Sequence, residues 1–291
     1  MLHSGLAVMR LRHAAKNRYR KTITLGRISA LAVLCLAGWG SASGQSRAGA
    51  EQSATRLEDH LLVSAGGEGA TSARMPQAIV IGFVGGFVKS NDQKHREVQF
   101  AAHIRESYPR SVYAEVFGNH DGARAFKQIL LLLDFDHDGV LTASEKRQAK
   151  IILYGHSWGA SEMLTLARKL EREQIPVQLA IEIDRIRKPG EGNSSIPSNV
   201  ARAINFYQSH GLLHGSQEIH ATDPARTEIL GNFQMSYKNH PIDCDAFPWY
   251  ARMFMRPHIE IENDPRVWDR IGSLVDAELT ATKSTVQLPM P

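Results

Sequence analysis

The sequence predicts an α/β domain with a mostly parallel sheet of about six strands flanked by helices. Two observations carry this. Apolar, β-prone runs at 77–83, 151–154 and 177–184 are separated by helical or loop-like segments, the alternation that parallel strands joined by crossovers require. The second is a strand–turn–helix junction. Ile151-Ile152-Leu153-Tyr154 enters Gly155-His156-Ser157-Trp158-Gly159, and Met163, Leu164, Ala167 and Leu170 then recur at helical spacing from Ala160 to Gln174.

Residues 1–43 stand apart. Seven basic residues between Arg10 and Arg27 are offset by no acid, an apolar run spans Ile28 to Trp39, and Gly40-Ser41-Ala42-Ser43-Gly44 suits a signal peptidase. The run falls short of the roughly 20 residues of a membrane helix. The pattern predicts a cleaved signal, a secreted or periplasmic chain and no stable membrane span after cleavage. The formal charge of +4 belongs to this leader: beyond residue 43 the balance is −3, which gives no footing for a nucleic-acid partner. Cys244 is the only cysteine outside the leader, so no internal disulfide is expected. Residues 44–76, rich in Ala, Gly, Ser, Gln and Thr, read as a flexible arm, 77–281 as the domain, and 282–291 as a tail.

Along the domain, 77–83 reads as a buried strand leading into Gly82-Phe83-Val84-Gly85-Gly86, then 93–107 as a helix and 111–117 as a strand. The turn Gly118–Gly122 follows, where His120 and Asp121 either line a pocket or only make the turn. Ala123 to Leu133 has a strong apolar helical face. The strand 177–184 ends on an acid, and a loop rich in Arg, Lys, Pro, Gly, Asn and Ser covers 185–198. Residues 199–208 read as a helix, with β-type runs near 216–221 and 227–235. Phe247-Pro248-Trp249-Tyr250 is expected in the core rather than walling a pocket. Residues 257–265 read as a loop before a closing helix to about Leu279.

Two motifs carry chemistry. In Gly155-x-Ser157-x-Gly159, a serine lifted off a strand end needs a tight, strained turn, and the positions two away cannot be bulky because strand and helix pass closely. The helix start then offers the Trp158 N–H to a developing oxyanion. The second motif is Asp134-x-Asp136-x-Asp138-Gly139-x₅-Glu145, which matches a helix-flanked calcium loop at every defining position. Three short carboxylates two apart converge on one point, glycine takes the bend, the Val140 carbonyl and Thr142 occupy the intermediate ligand positions, and Glu145 reaches back. The expected cofactor is therefore one structural Ca²⁺.

On its elbow residues the chain resembles the α/β-hydrolase superfamily, especially secreted lipases and esterases with Gly-His-Ser-x-Gly, over roughly residues 77–277. The resemblance implies an α/β-hydrolase fold, here shortened, since the first clear strand already carries the oxyanion glycines. It implies a second oxyanion N–H from Phe83 or Val84, and the chain order Ser, acid, His. Asp184 is the expected acid, with Glu182, Asp223 and Asp243 as alternatives. Among 13 histidines, His258 is the expected base, because His258-x-x-Ile261-x-x-Asp264-Pro265-x-Val267 resembles the last catalytic segment of many lipases. His240 is the alternative, and His156 is expected to pack beside the elbow. These residues predict a serine hydrolase acting on small-molecule esters or lipids. Amide or thioester cleavage on the same triad, and a non-catalytic calcium-dependent binding protein, are the competing readings.

Overall fold

The central strands are mostly apolar because both faces are covered. The computed structural model describes residues 76–281 apart from Asn193; the leader, nearly all of the arm and the tail lie outside the described residues. In β1 (Ala78–Phe83) every residue is buried, with Ile79, Ile81 and Phe83 packed into one hydrophobic layer and Val80 into the other. The remaining strands are β2 (Val112–Phe117), β3 (Lys150–His156), β4 (Val177–Ile183), β5 (Val200–Gln208) and β6 (Glu228–Met235). They form one six-stranded sheet in the order β2-β1-β3-β4-β5-β6, and every neighbouring pair is parallel.

The helices are α1 (Arg96–Ser107), α2 (Gly122–Leu133), the four-residue α3 (Glu145–Gln148), α4 (Trp158–Arg172), α5 (Trp249–Asn263) and α6 (Pro265–Thr280). Ala125, Ile129 and Leu133 of α2 and Met163, Leu164, Ala167 and Leu170 of α4 cover the face of Ile79, Ile151 and Leu153. Phe100 and Ile104 of α1 and Val267, Trp268 and Ile271 of α6 cover the face of Val80, Ile152 and Ile181. Each such fully buried side chain contributes roughly 1.5–3 kcal/mol of transfer free energy. Helices on both faces of a parallel sheet are the expected architecture.

Three expectations need correction. Residues 199–208 are not a helix but the long strand β5. Ala203, Ile204, Asn205 and Phe206 are buried in succession, and a strand covered on both faces loses the alternation that distinguishes it from a helix. The run at 216–221 forms only an isolated bridge, Ile196 to Ala221. Trp249 and Tyr250 are not core residues, being 65% and 48% exposed at the start of α5.

The strand order decides where a site can form. From β1 the chain moves outward to β2, then returns across β1 to β3 and proceeds the other way. The reversal leaves a crevice outside the carboxyl ends of β1 and β3, the place where open α/β sheets bind ligands.

Candidate active site

Ser157 sits at that crevice, between the last residue of β3 and the first of α4. Its backbone is held at φ 58°, ψ −126°, outside the regions favoured by side-chain-bearing residues. Strain of this kind costs on the order of 1–3 kcal/mol and persists only where the surroundings enforce it. Here they do. A Cβ on Gly155 would come within 2.6 Å of the Gly159 carbonyl carbon, and one on Gly159 within 2.3 Å of the Phe83 oxygen. Strand, helix and oxyanion loop therefore fit only with glycine at both positions. The Ser157 N–H donates to the Ile183 carbonyl at 3.0 Å, joining the elbow to the end of β4.

Asp184 is the residue after that carbonyl, and it is fully buried. Its Oδ1 accepts from Gly215 N at 2.7 Å and Gln208 N at 3.2 Å; its Oδ2 accepts from Gln208 Nε2 at 2.8 Å. The remaining approach to Oδ2 belongs to His258 Nδ1 at 2.6 Å. Burial pushes the Asp184 pKa up, but the hydrogen bond and charge of His258 and the Gln208 hydrogen bonds outweigh it, so the carboxyl titrates below its ordinary range. A carboxylate so held fixes the imidazole with Nδ1–H toward Asp184 and Nε2 as the remaining basic atom. Among the described residues, the Ser157 hydroxyl has no hydrogen-bond partner, His258 included.

His258 lies not in a loop but inside α5, three residues beyond Met255, whose φ −129° and ψ 18° mark a kink ahead of Pro257. Proline supplies no N–H and clashes with the preceding turn, so the helix bends where it presents His258 to Asp184. His156 packs its ring against His258, with centroids 4.4 Å apart. Burial and the neighbouring His258 charge depress its pKa well below that of a free histidine.

The alternatives fall elsewhere. His240 and Asp243 are exposed, and the side chains of Asp223 and Asp243 accept from the backbone N–H groups of Ala225 and Asp245 in turns. Glu182 is fully buried two residues before Asp184 and lies 3.8 Å from Arg185, another buried side chain. His120 is exposed, and Asp121 accepts from Gly118 N within the turn.

The oxyanion loop departs from expectation. Val84 N–H is committed to the Phe117 carbonyl at 3.1 Å, and Phe83 is a ladder residue paired in register with Phe117 and Gly155. Neither is the loop's free donor. Gly85 approaches Ser157 closely: an added Cβ there would meet Ser157 Cβ at 2.8 Å. Gly86, at φ 48°, carries the chain onward, and its carbonyl is gripped by the Asn119 side chain from the end of β2. The available donors are thus Trp158 N–H, on the unpaired first turn of α4, and the backbone of Gly85 to Phe87. Sequence reading missed Asn119, Gln208 and Gly215. Gln208 was hidden by the misread of β5, and the other two are set by loop contacts that carry no sequence signature.

The acidic loop between α2 and β3 is closed on its own carboxylates. Gly139 N, at φ 80°, donates to Asp134 Oδ2, Asp138 N to Asp136 Oδ1 and Val140 N to Asp138 Oδ1. Ligand oxygens of Asp134, Asp136 and Asp138 lie within 4.8 Å of one another, and Asp134 Oδ1 is buried without a partner. These residues fit a hard divalent cation. Thr142 and Glu145 form a reciprocal cap, with Thr142 N donating to Glu145 Oε2 and Glu145 N to Thr142 Oγ1. The Thr142 and Phe135 N–H groups and the Thr142 hydroxyl hold the Glu145 carboxyl below its usual pKa.

A parallel sheet in this order with a nucleophile-type elbow at the switch point is the α/β-hydrolase fold, without leading antiparallel strands among the described residues. No protein-family model and no curated protein sequence matches the chain. Thirty chains of solved structures align with it, three of them as follows. A type II thioesterase of yersiniabactin biosynthesis is 12% identical, covering 64% of this chain and 95% of its own at a TM-score of 0.30. An acetyl xylan esterase is 12% identical over 54% and 82%, at 0.28. A dienelactone hydrolase-like promiscuous phosphotriesterase from metagenomic libraries is 14% identical over 71% and 87%, at 0.33. Likeness at this level says nothing about substrate.

Proposed function

We propose that the domain is a serine hydrolase that cleaves carboxylic esters through an acyl-enzyme. The observation that supports it most is the fully hydrogen-bonded Asp184 carboxylate holding His258 Nδ1 at 2.6 Å, one residue beyond the β4 carbonyl that anchors Ser157. In this reading His258 Nε2 takes the Ser157 proton as Oγ attacks the ester carbonyl. Asp184 holds the imidazolium, and Trp158 N–H with a donor from Gly85 to Phe87 receives the oxyanion. The proton then passes to the leaving alcohol, and water repeats the sequence on the acyl-enzyme. Exposed apolar side chains favour an ester with an apolar acyl or alkyl group. Phe87 packs edge-on to Trp158 at 5.9 Å, and Trp249, Tyr250, Met253 and Phe254 line the half of α5 that leads to His258.

Two further parts of the reading concern the whole chain. The acidic loop would hold Ca²⁺ through Asp134, Asp136, Asp138, the Val140 carbonyl and Glu145; the ion neutralises a carboxylate cluster and takes no part in the chemistry. Thr142 serves mainly to cap α3. The leader makes the protein an exported one, acting in the periplasm or outside the cell.

Hydrolysis of a p-nitrophenyl ester series of increasing acyl length tests the function. Wild type should turn over at least one member, and Ser157→Ala should lower kcat on the order of 10⁴-fold or more while melting as a folded protein. Turnover retained in Ser157→Ala would overturn the reading.

A further inference from the structure

Behind the elbow lies a second polar cluster that ester hydrolysis does not use. Glu97, in the first turn of α1, is fully buried, and neither of its carboxylate oxygens accepts from an N–H group among the described residues. Glu262 of α5 is buried beside it. His95 Nδ1 is 2.6 Å from Glu262 Oε1, while His156 Nδ1 is 3.6 Å from Glu97 Oε1 and 3.5 Å from Glu262 Oε2. Among the described residues no Lys or Arg pairs with either carboxylate. Burial, the Glu262 charge and a hydrogen bond between the two carboxyls push the Glu97 pKa well up.

The three groups have the reach of a metal site. Ligand atoms of His95, Glu97 and Glu262 all lie within 4.8 Å of one another. The two His156 contacts are too long for hydrogen bonds, and His156 borders this group without belonging to it. We propose that His95, Glu97 and Glu262 form a buried three-residue site for a divalent transition-metal ion of the zinc class, with a fourth position open. Two carboxylates balance the ion's charge, and the imidazole favours zinc-like ions over calcium or magnesium. The His95 side chain, 13% exposed, marks the side from which the ion enters. The ion replaces the proton between His95 and Glu262, so loading releases protons. Bound there, it ties the start of α1 to α5 beside the His156 ring that packs on His258. The site is independent of whether Ser157 is a nucleophile.

The full chain, stripped by chelator and returned to buffer with excess Ca²⁺ so that the Asp134–Glu145 loop is not what is read, is titrated with Co²⁺. The expected result is visible d–d absorption of tetrahedral intensity saturating near one equivalent, displaced by Zn²⁺, and a Zn²⁺-dependent rise in melting temperature. Glu145→Gln should behave as wild type, whereas Glu97→Gln and His95→Gln should each weaken binding at least ~10-fold. His95→Gln, on the half-buried rim, supplies the result if Glu97→Gln does not fold. Absence of the tetrahedral bands in wild type, or unchanged Co²⁺ affinity in folded Glu97→Gln or His95→Gln, would overturn the proposal.

Discussion

At Asp184 every oxygen is engaged, so the imidazole it holds has one way to sit. Asp184→Asn keeps the volume but loses the acceptor for Nδ1–H; kcat should fall on the order of 10⁴-fold, read on whichever ester wild type hydrolyses. The same residue sets a pH dependence. Its pKa is lowered in the folded state, so its charge stabilises the fold above the ordinary carboxylate range, and that contribution is lost as pH falls through the depressed value. Melting temperature followed downward from neutral pH should therefore drop more steeply in wild type than in Asp184→Asn. Parallel curves would mean that Asp184 is not held as described. Asp184 was legible as a strand-terminal acid one strand after the serine. Its other three donors were not: Gln208 and Gly215 are recruited across 24 and 31 residues by the end of β5 and the loop beyond it.

Among the elements, the acidic loop and β5 mark the two ends of legibility. The loop was readable because each position has a local reason, and the turn forms as written, down to the left-handed Gly139. Strand β5 was misread because a doubly buried strand and a buried helix share an unbroken apolar run, and only the neighbours β4 and β6 decide between them. Trp249 and Tyr250 failed for the converse reason: aromatic residues imply burial only if something covers them, as Cys244, Ala251 and Ile259 do for Phe247. The calcium reading has its test at this scale. An ion binding only the folded state at ~100-fold excess over Kd stabilises by roughly 2.7 kcal/mol, about 5–10 °C for a domain of this size. Melting with Ca²⁺ should exceed melting with a calcium-selective chelator by that margin, and Glu145→Gln should abolish the difference. Equal temperatures in all three would leave the loop an acidic turn.

Across the molecule, the strand order explains why residues far apart in sequence meet. Ser157 follows β3, Asp184 follows β4, and the Gly85 loop follows β1, so their positions at the carboxyl edge come from topology rather than local sequence. His258 alone is delivered by a helix, and Met255 and Pro257 bend that helix toward the crevice. The sheet and its elbow were visible as apolar runs and paired glycines, whereas the kink, the commitment of Val84 N–H to Phe117 and the buried Glu97–Glu262 pair arise only when distant elements pack. The central claim is that Ser157 is a nucleophile activated by His258. Intact-mass measurement after exposure to a fluorophosphonate, with peptide mapping, reads it without knowledge of the substrate. One adduct per chain on Ser157 in wild type, absent in Ser157→Ala and slowed at least ~100-fold in His258→Ala, is the predicted result. A folded wild-type protein that stays unlabelled, or an adduct that maps elsewhere, would contradict it.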